Sequence, residues 1–364
     1  MSAKTKTPFV RFAKVNKTYD GKEFVVKELD LEVFKGEFVT ILGPSGSGKT
    51  TCLSLIAGFE DIDLGQIYLN GISVNKLAPH KRNIGMVFQN YALFPHMTVE
   101  QNLAFPLKYN NFAKSQRKKQ IDKFLKLVEL QDFANRYPAQ LSGGQKQRVA
   151  LARVLVYEPS LVLMDEPLAA LDKNLRQQMQ YEIKKLHEML GFTVIYVTHN
   201  QKEALTMSDR VAVLNQGQIQ QIDTPKNIYQ HPSNRFVAEF IGENNILKGK
   251  LQQIENNIAF IKVNNEIIQA CPNNINSSDL EVLVAIRPEK ILIIAQEKDA
   301  DNQFVAKITN IIYVGDHLRI YVNLLDGKSR FIIKQANYLQ DNNYSKGDTI
   351  KITWQIKDCL AIKA

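Results

Sequence analysis

The residues best suited to chemistry form the run Gly43-Pro44-Ser45-Gly46-Ser47-Gly48-Lys49-Thr50, which fits the spacing G-x-x-x-x-G-K-S/T. Glycines at these positions let backbone N–H groups turn towards phosphates, while the lysine reaches the outer phosphates and the Thr50 hydroxyl can hold Mg²⁺. A helix that starts here adds its positive end. The run therefore predicts a phosphate cradle, and the alternative is a glycine-rich turn between a strand and a helix.

Two acidic residues, Asp165 and Glu166, directly follow the apolar run 161–164. In P-loop NTPases, an aspartate at the end of such a strand holds Mg²⁺. Glu166 is the next residue and could polarise the attacking water. Strand ends often carry solvated acids, so the pair predicts a metal site only in combination with the cradle.

A second candidate for anion binding is Leu141-Ser142-Gly143-Gly144-Gln145, at the start of a helix-like stretch. A cap hydroxyl and free backbone donors at a helix start suit an anion. The simpler alternative is a capped helix. Two such helix starts in one domain favour a site that binds phosphate from two directions.

The segments that must position these groups alternate between strand-like and helix-like up to about residue 215. Strands are predicted at 37–42, 84–88, 161–164 and 193–197, and helices at 49–57, closed by Gly58, and at 175–190, closed by Gly191. Such alternation is typical of a mainly parallel sheet with helices on both faces. The predicted fold class is therefore α/β for this part of the chain.

The pattern changes after residues 236–242, where short alternating runs at 258–263, 282–286 and 319–322 are separated by turns rich in Asn and Gly. This is typical of small all-β modules. We place the boundary between 215 and 245, with domains at 8–240 and 241–364 and a helical subdomain at about 90–158.

Composition excludes several classes of protein. The chain has 364 residues, of which 45% are hydrophobic and 23% charged, and these are ordinary globular values for two or three domains. Its net charge is +9, and residues 236–364 contribute none of it, since they carry 15 basic and 15 acidic residues. The lack of net charge in residues 236–364 argues against nucleic-acid binding by this part of the chain. The net positive charge of residues 1–235 favours an anionic ligand. No apolar run approaches the ~18 residues of a membrane span, no signal-peptide pattern is present, and the three cysteines form no close pair. We expect a cytoplasmic protein that reaches a membrane only through a partner.

With these motifs in this order, the chain resembles the nucleotide-binding subunits of ABC transporters over essentially its whole length. The run 43–50 resembles the Walker A loop, 141–145 the signature and 161–166 Walker B. The resemblance implies ATP and Mg²⁺ as cofactors. It also implies a homodimer in which Ser142 and Gly144 of one copy cover the ATP bound at Lys49 of the other.

The same resemblance adds residues that chemistry alone would leave as ordinary surface: Tyr19 stacks on adenine, Gln89 contacts Mg²⁺ and the membrane partner, Ala170-Leu171-Asp172 forms the D-loop, and His199 is the switch histidine. It implies three sets of site residues. The implied catalytic residues are Glu166, His199 and Lys49. The implied Mg²⁺ ligands are Thr50, Gln89 and Asp165. The implied nucleotide-binding residues are Tyr19, Gly43, Pro44, Ser45, Gly46, Ser47, Gly48, Lys49, Thr50, Thr51, Gln89, Ser142, Gly143, Gly144, Gln145, Asp172 and His199.

The sequence departs from the common family pattern at two points. Ala169 and Ala170 stand where a serine is frequent, and Asn200 follows His199 where an aspartate is frequent. Neither change removes a catalytic group, but both bear on the coupling between the two sites of the dimer.

The second half resembles the TOBE-type accessory domain, two small OB-like barrels, of importers for polyamines, sugars, iron and related solutes. The motif Ile286-Arg287-Pro288-Glu289 is common in that domain, and the stretches 88–97 and 205–210 resemble the same importer subgroup. The stretches 175–180 and 240–244 most resemble the spermidine and putrescine importers. The resemblance implies two permease subunits, an extracytoplasmic solute-binding protein and a place on the cytoplasmic face of the inner membrane. Another solute, such as iron, a sugar or a phosphonate, stays open, as do a soluble ABC ATPase acting on DNA or ribosomes and a regulatory binding module.

The segment from Gln89 to Leu107 is the predicted docking site for the permease. It combines the aromatic residues Tyr91, Phe94 and Phe105 with two prolines, and the matching region of related transporters receives a short permease helix. The alternative is a helical subdomain that packs these aromatics for itself.

Overall fold

The computed structural model describes residues 7–110, 112–294, 301–324, 329–337 and 344–364. It divides into two compact units, Met1–Pro225 and Lys226–Ala364. Within the described ranges, no helix has both the length and the apolar composition needed to cross a membrane.

The first unit contains two sheets. Its strands are β1 (Val10–Thr18), β2 (Phe24–Val33), β3 (Phe38–Leu42), β4 (Leu64–Leu69), β5 (Ile72–Ser73), β6 (Ile84–Val87), β7 (Leu161–Asp165), β8 (Thr193–Thr198), β9 (Arg210–Asn215) and β10 (Gln218–Asp223). One sheet is antiparallel, in the order β2-β1-β4-β5, and the other runs β10-β9-β3-β8-β7-β6. All neighbours in the larger sheet are parallel except the β9–β10 hairpin, which confirms the predicted α/β class.

The helices of the first unit connect and cover these strands. They are α1 (Lys49–Ala57), α2 (Val99–Tyr109), α3 (Lys114–Leu127), α4 (Gly143–Leu155), α5 (Lys173–Leu190) and α6 (Gln201–Met207). The bounds of α1 agree with the prediction, because Gly58 takes the left-handed conformation, at φ 83°, that ends a helix. Gly191 ends α5 in the same way, at φ 64°. The predicted helical subdomain corresponds to α2, α3 and α4.

Successive residues of the parallel strands face two different hydrophobic cores. In β7, Leu161 and Leu163 belong to the core that contains α1 and the antiparallel sheet, whereas Val162 and Met164 belong to the core that contains α2 to α5. Strand β8 alternates in the same sense. The alternation follows from the two-residue period of a strand, so α1 and α4 cover opposite faces of one sheet.

The second unit is rich in strands, as predicted. It contains β11 (Asn245–Glu255), β12 (Ile258–Val263), β13 (Glu266–Pro272), β14 (Glu281–Ile286), β15 (Leu292–Ile294), β16 (Asn302–Tyr313), β17 (His317–Leu324), β18 (Arg330–Ala336), β19 (Thr349–Trp354) and β20 (Cys359–Lys363). Strands β11, β12, β13, β20 and β14 close a barrel. Of the two barrels expected, the second is instead a five-stranded sheet in the order β15-β19-β16-β17-β18.

The division between the units lies earlier than the predicted boundary at residue 240. Helices α7 (Pro225–Gln230) and α8 (Arg235–Phe240) precede the barrel. Ala238 packs with Leu283 and Leu360 of the barrel, and Arg287 donates to the carbonyl of Tyr229 at 2.6 Å. Residues from 226 onwards therefore fold with the second unit, within the window of 215–245 given above.

Candidate nucleotide site

The glycine-rich loop fills the gap between the end of β3, at Leu42, and the start of α1, at Lys49. Gly48 has φ 96°, and a Cβ atom there would lie 2.6 Å from the Val25 carbonyl oxygen. A Cβ atom on Gly43 would lie 2.2 Å from the Leu214 carbonyl oxygen. Only glycine fits at these two positions, because the backbones of β2 and β9 lie too close to the loop to leave room for a Cβ atom.

The loop presents hydrogen-bond donors that a phosphate chain can use. The amides of Lys49, Thr50 and Thr51 precede the first intrahelical bond of α1, which Cys52 donates to the Gly48 carbonyl at 3.0 Å. The buried hydroxyl of Ser47 has no hydrogen-bond partner among the described residues. Lys49 is buried and donates to the Pro44 carbonyl at 2.8 Å. The loop thus fits an anion that would complete these bonds.

The carboxylates lie at the same edge of the sheet as the loop, because β3, β8 and β7 are parallel neighbours. Asp165 is the last residue of β7, and its Oδ1 accepts from the Thr50 hydroxyl at 3.1 Å. Burial raises the pKa of Asp165, the Thr50 hydrogen bond opposes that shift, and the charge of Glu166 adds to it. Burial lowers the pKa of Lys49, and the charges of Glu166 and Asp165 oppose that change. The site therefore concentrates ionisable groups that are partly removed from water.

Glu166 contacts His199 across the ends of β7 and β8. The His199 Nδ1 atom lies 3.0 Å from Glu166 Oε2, and since an ionised carboxylate only accepts, Nδ1 carries the proton and donates. Glu166 itself has φ 44°, a costly conformation for a residue with a side chain, and its amide donates to the Val197 carbonyl at 3.0 Å. This turn places the Glu166 side chain against His199.

Tyr19 lies beside the phosphate loop. Its side chain is 59% exposed, its hydroxyl is 3.5 Å from the Thr51 hydroxyl, and Lys17 Nζ is 5.4 Å from the ring centroid. A cavity of about 510 Å³ is lined by Tyr19 and, from the loop, by Gly46. An exposed aromatic ring at the mouth of such a cavity can stack on a planar base.

The signature forms the capped start of α4. The Ser142 hydroxyl accepts from the Gln145 amide at 3.3 Å, and Gln145 Oε1 accepts from the Ser142 amide at 2.9 Å. The Ser142 O–H proton is still free to donate, because the hydroxyl serves here only as an acceptor. Gly144 packs against α5, where a Cβ atom would lie 2.8 Å from Leu175 Cδ1. Part of the signature is therefore explained by helix capping and packing.

The signature and the phosphate loop begin helices that cover opposite faces of the parallel sheet. Helix α1, which begins at Lys49, packs in the core on one face of the parallel sheet, and α4, which begins after Ser142, packs in the core on the other face. The two helix starts therefore belong to different layers of the first unit.

Three other residues implied by the resemblance lie at element ends. Gln89 is exposed two residues after β6 ends. Asp172 caps α5 and accepts from the Asn174 and Leu175 amides at 3.1 and 3.0 Å. Asn200, the departure noted above, caps α6 with its side-chain oxygen, a role in which asparagine and aspartate are equivalent.

Sequence reasoning missed the residue that holds the far end of α1. Arg82 is buried, and its Nη1 donates to the Leu55 and Ile56 carbonyls at 2.9 and 2.8 Å, while Nε donates to the Leu77 carbonyl at 2.7 Å. A cation at the negative end of a helix is stabilising. Arg82 thus anchors the helix that carries the phosphate loop at its other end.

Another missed group surrounds Glu203 in α6, which is 3% exposed. Its Oε2 accepts from the Tyr196 hydroxyl at 2.8 Å and from the Thr198 hydroxyl at 2.7 Å. Its Oε1 lies 3.8 Å from Arg176 Nε. An acidic residue at position 203 of an ordinary helix gives no sequence signal, because its partners come from other segments.

The aromatic residues of the segment 89–107 are half-buried and packed in a row. The rings of Phe94 and Phe105 are 4.5 Å apart between centroids, and Tyr109, which is 74% exposed, lies 5.0 Å from Phe105. The buried Asn102 side chain donates to the Phe94, Met97 and Thr98 carbonyls. The aromatic row therefore packs within the segment and ends in solvent at Tyr109, two residues beyond it.

Comparison with known families and proteins agrees with this geometry. A model of the ABC transporter family matches residues 26–169, and a model of the TOBE domain matches residues 284–362. The chain is similar to the "Spermidine/putrescine import ATP-binding protein PotA" of Thermobifida fusca, with 43% identity over 96% of this chain and 92% of that protein. It is also similar to the "Fe(3+) ions import ATP-binding protein FbpC" of Fusobacterium nucleatum, with 44% identity over 90% of this chain and 86% of that protein.

A solved structure matches the first part of the chain. It is a dimeric ATP-binding cassette in a post-hydrolysis state with ADP and Pi, which is 37% identical, has a TM-score of 0.53, and covers 59% of this chain and 98% of its own. A cassette of this fold therefore assembles as a dimer around nucleotide.

Proposed function

The chain belongs to the ABC transporter family as an ATP-binding importer subunit that hydrolyses ATP, and from that premise we propose that the imported solute is a polyamine. The relative from Thermobifida fusca, named for spermidine and putrescine import, supports this assignment over nearly the full chain. The relative from Fusobacterium nucleatum, named for Fe(3+) import, has almost the same identity and makes iron the second candidate.

The observation that carries the catalytic assignment is the convergence of Lys49, Thr50, Asp165, Glu166 and His199 at one edge of the parallel sheet. Lys49 and the first amides of α1 bind the outer phosphates. Glu166 orients a water whose oxygen attacks the γ-phosphorus, so that the bond to the bridging oxygen breaks and ADP leaves. Glu166 accepts the proton of that water, and His199 holds the carboxylate in place.

The donor set at Thr50, Asp165 and Gln89 fits Mg²⁺, which prefers hydroxyl, carboxylate and amide oxygens. Bound there with the nucleotide, the ion would neutralise charge on the phosphates. The hydrogen bond from Thr50 to Asp165 already sets two of these oxygens side by side.

The active form of this subunit is a nucleotide-sandwich homodimer. Support comes from the two separate helix starts, at Lys49 and directly after Ser142, and from the dimeric cassette with ADP and Pi that matches the first part of the chain. In a head-to-tail pair, the Ser142 hydroxyl and the Gly144 amide of the second copy complete the shell around the γ-phosphate. Charge that develops there is then stabilised from both sides.

The segment from Gln89 to Leu107, together with Tyr109 just beyond it, is the docking surface for the membrane permease. Two side chains hold the loop of this segment: Asn102 donates to the Phe94 carbonyl, and Arg153 donates to the Ala92 carbonyl at 2.7 Å. The rings of Phe94 and Phe105 pack against each other, and Tyr109 ends this aromatic row in solvent. Rigid aromatic rows of this kind anchor a partner helix.

The docking test compares two exposed tyrosines. Tyr109→Asp should reduce co-purification with the permease while ATP binding by the isolated subunit stays unchanged. Tyr181→Asp on α5, where the tyrosine is 71% exposed, is the matched control and should leave co-purification intact. Equal behaviour of the two variants would refute the docking role.

The function is tested in proteoliposomes that contain this chain, its permease subunits and a solute-binding protein. Spermidine should stimulate ATP hydrolysis, and Fe(3+) and sugars should not. Glu166→Gln should keep ATP binding and lower turnover by roughly 10²–10⁴-fold, whereas Glu158→Gln, at an exposed glutamate, should keep the parent rate. Stimulation by Fe(3+) alone would replace the polyamine assignment with iron, and full turnover by Glu166→Gln would refute the catalytic one.

A further inference from the structure

The buried carboxylate of Glu203 connects two segments that flank the reacting groups. On one side, it accepts from the hydroxyls of Tyr196 and Thr198, which belong to β8. Thr198 is the residue before His199, and its hydroxyl also accepts from the Asn200 amide at 3.0 Å. The end of β8, from which His199 projects, is therefore tied to α6 through Glu203.

On the other side, Glu203 pairs with Arg176 of α5 at 3.8 Å. The Arg176 guanidinium donates from Nε to the Leu168 carbonyl at 3.2 Å and from Nη2 to the Leu171 carbonyl at 2.7 Å. These carbonyls belong to the loop between Glu166 and Asp172. Arg176 thus holds the backbone that follows the catalytic glutamate and leads into the D-loop.

The two sides meet at the contact between Glu166 and His199. This 3.0 Å contact joins residues at the ends of β7 and β8. Glu203 holds the end of β8 through Thr198, and it holds the loop after β7 through Arg176. Hydrogen bonds to a charged, buried group are strong and directional. A shift of Glu203 would therefore move His199 through Thr198 and the loop after Glu166 through Arg176.

We propose that Glu203 is a positioning residue for hydrolysis: it sets the distance between His199 and Glu166 and couples that pair to the D-loop through Arg176. The proposal rests on the assignment of Glu166 and His199 given above. Glu203 does not touch the nucleotide, so its effect falls on the chemical step and not on ATP binding.

The test uses the full-length chain with Glu203→Gln, which keeps the shape of the side chain and removes its charge. Because a displacement of about 1 Å in a reacting group can cost about 10²-fold, kcat for ATP hydrolysis should fall by roughly 10- to 100-fold. The KM for ATP should stay within about threefold, since the phosphate loop is not part of the network. A second variant, Tyr196→Phe, removes one donor to Glu203 and keeps the ring in the core; it should lower kcat by a smaller factor with the same unchanged KM.

The matched control is Glu37→Gln. Glu37 is also a largely buried glutamate paired with an arginine, at 3.2 Å from Arg210, but it lies at the opposite edge of the parallel sheet, beside the start of β3. Its loss should leave kcat unchanged. A fall in kcat equal to that of Glu203→Gln would show that a general loss of rigidity, and not positioning, explains the effect.

A double-mutant comparison separates positioning from structure. In a His199→Ala background, Glu203→Gln should cost much less than in the parent, because the contact through which it acts is already gone. An equal cost in both backgrounds, or a kcat for Glu203→Gln within twofold of the parent, would overturn the proposal. If His199→Ala alone kept the parent kcat, the assignment of the catalytic pair would fail first, and the positioning role with it.

Discussion

Replacement of Arg82 by methionine should destabilise the first unit and leave the second unchanged. Arg82 is 6% exposed and gives three hydrogen bonds to backbone carbonyls, two of which close the last turn of α1. Hydrogen bonds to charged groups contribute about 1.5–3 kcal/mol each. The substitution also removes a buried cation. Burying that charge costs several kcal/mol in the parent, and its removal offsets part of the loss. We therefore expect a net loss of about 3–4 kcal/mol, in the range of other broken buried networks.

The chain carries its own reference for this measurement. Helices α1 to α6 lie in the first unit, so helical circular dichroism reports mainly on that unit. The single tryptophan of the sequence, Trp354, is buried between Phe304 and Phe331 in the second unit. At roughly 2–4 °C per kcal/mol for a unit of this size, the helical transition should fall by about 6–16 °C. The tryptophan transition should not move.

Arg11→Met is the matched control, since Arg11 is 54% exposed and forms a surface pair at 3.7 Å with Glu32. Such pairs contribute about 0–1 kcal/mol, so its helical transition should change by little. If Arg82→Met behaved like Arg11→Met, the view that Arg82 anchors α1 would be refuted. A tryptophan transition that fell by the same amount would refute the localisation of the effect.

Three further outcomes test the site. Gly48→Ala should lower the stability of the first unit by about 3 kcal/mol, because a left-handed residue costs ~1–2 kcal/mol and its Cβ would lie 2.6 Å from a carbonyl oxygen. In Gly46→Ala the new Cβ meets no described atom within 4 Å, so this variant should show only the left-handed cost. Equal thermal shifts of the two variants would contradict this account. Asp165→Asn should abolish hydrolysis but raise the melting temperature of the metal-free protein. Burial raises the pKa of Asp165, so this carboxyl favours folding below its unfolded pKa and loses that contribution as the pH rises through its folded pKa. The gain in melting temperature from Asp165→Asn should therefore grow from acid to neutral pH. A gain that stayed constant with pH would be inconsistent with this reasoning. With ATP, Glu166→Gln should sediment as a dimer, and Ser142→Phe in that background should weaken the dimer. If the parent chain hydrolysed ATP at its full rate while it sedimented strictly as a monomer, the sandwich would be ruled out.

The central strands of the parallel sheet and the helices α1 and α5 could be predicted from local signals, whereas the antiparallel sheet β2-β1-β4-β5 was not predicted. The strand at 161–165, the helix from Lys49 to Ala57 and the change to short strands after residue 240 each follow from apolar period and glycine position. These signals are local because a helix or strand is specified mainly by its own residues and its caps. The pairing of β3 with β8, and the gathering of carboxylates at one sheet edge, follow from parallel order once the strands are known.

The supporting groups could not be predicted, because their partners lie mostly in other elements or loops, whether distant in the sequence, as for Arg82, or within eight residues, as for Asn102. Arg82 contacts carbonyls 26 and 27 residues away, and Asn102 and Glu203 read as ordinary polar helix residues until their partners are placed around them. The left-handed backbone of Glu166, at φ 44°, has no signal in its residue type. Sequence therefore indicates the candidate reacting groups, and the structure shows which side chains contact the segments that carry them.

The alternation of β3, β7 and β8 between two cores also fixes the length of these strands. An insertion of one residue in β7 would exchange the faces of Val162 and Leu163 and place each in the core shaped for the other. An insertion of two residues would restore the faces but displace Asp165 by about 6.6 Å along the strand, far beyond its 3.1 Å bond to Thr50. Strand length is thus constrained as tightly as the identity of the catalytic side chains. Natural variation in chain length among related cassettes should fall in the turns and not in these three strands.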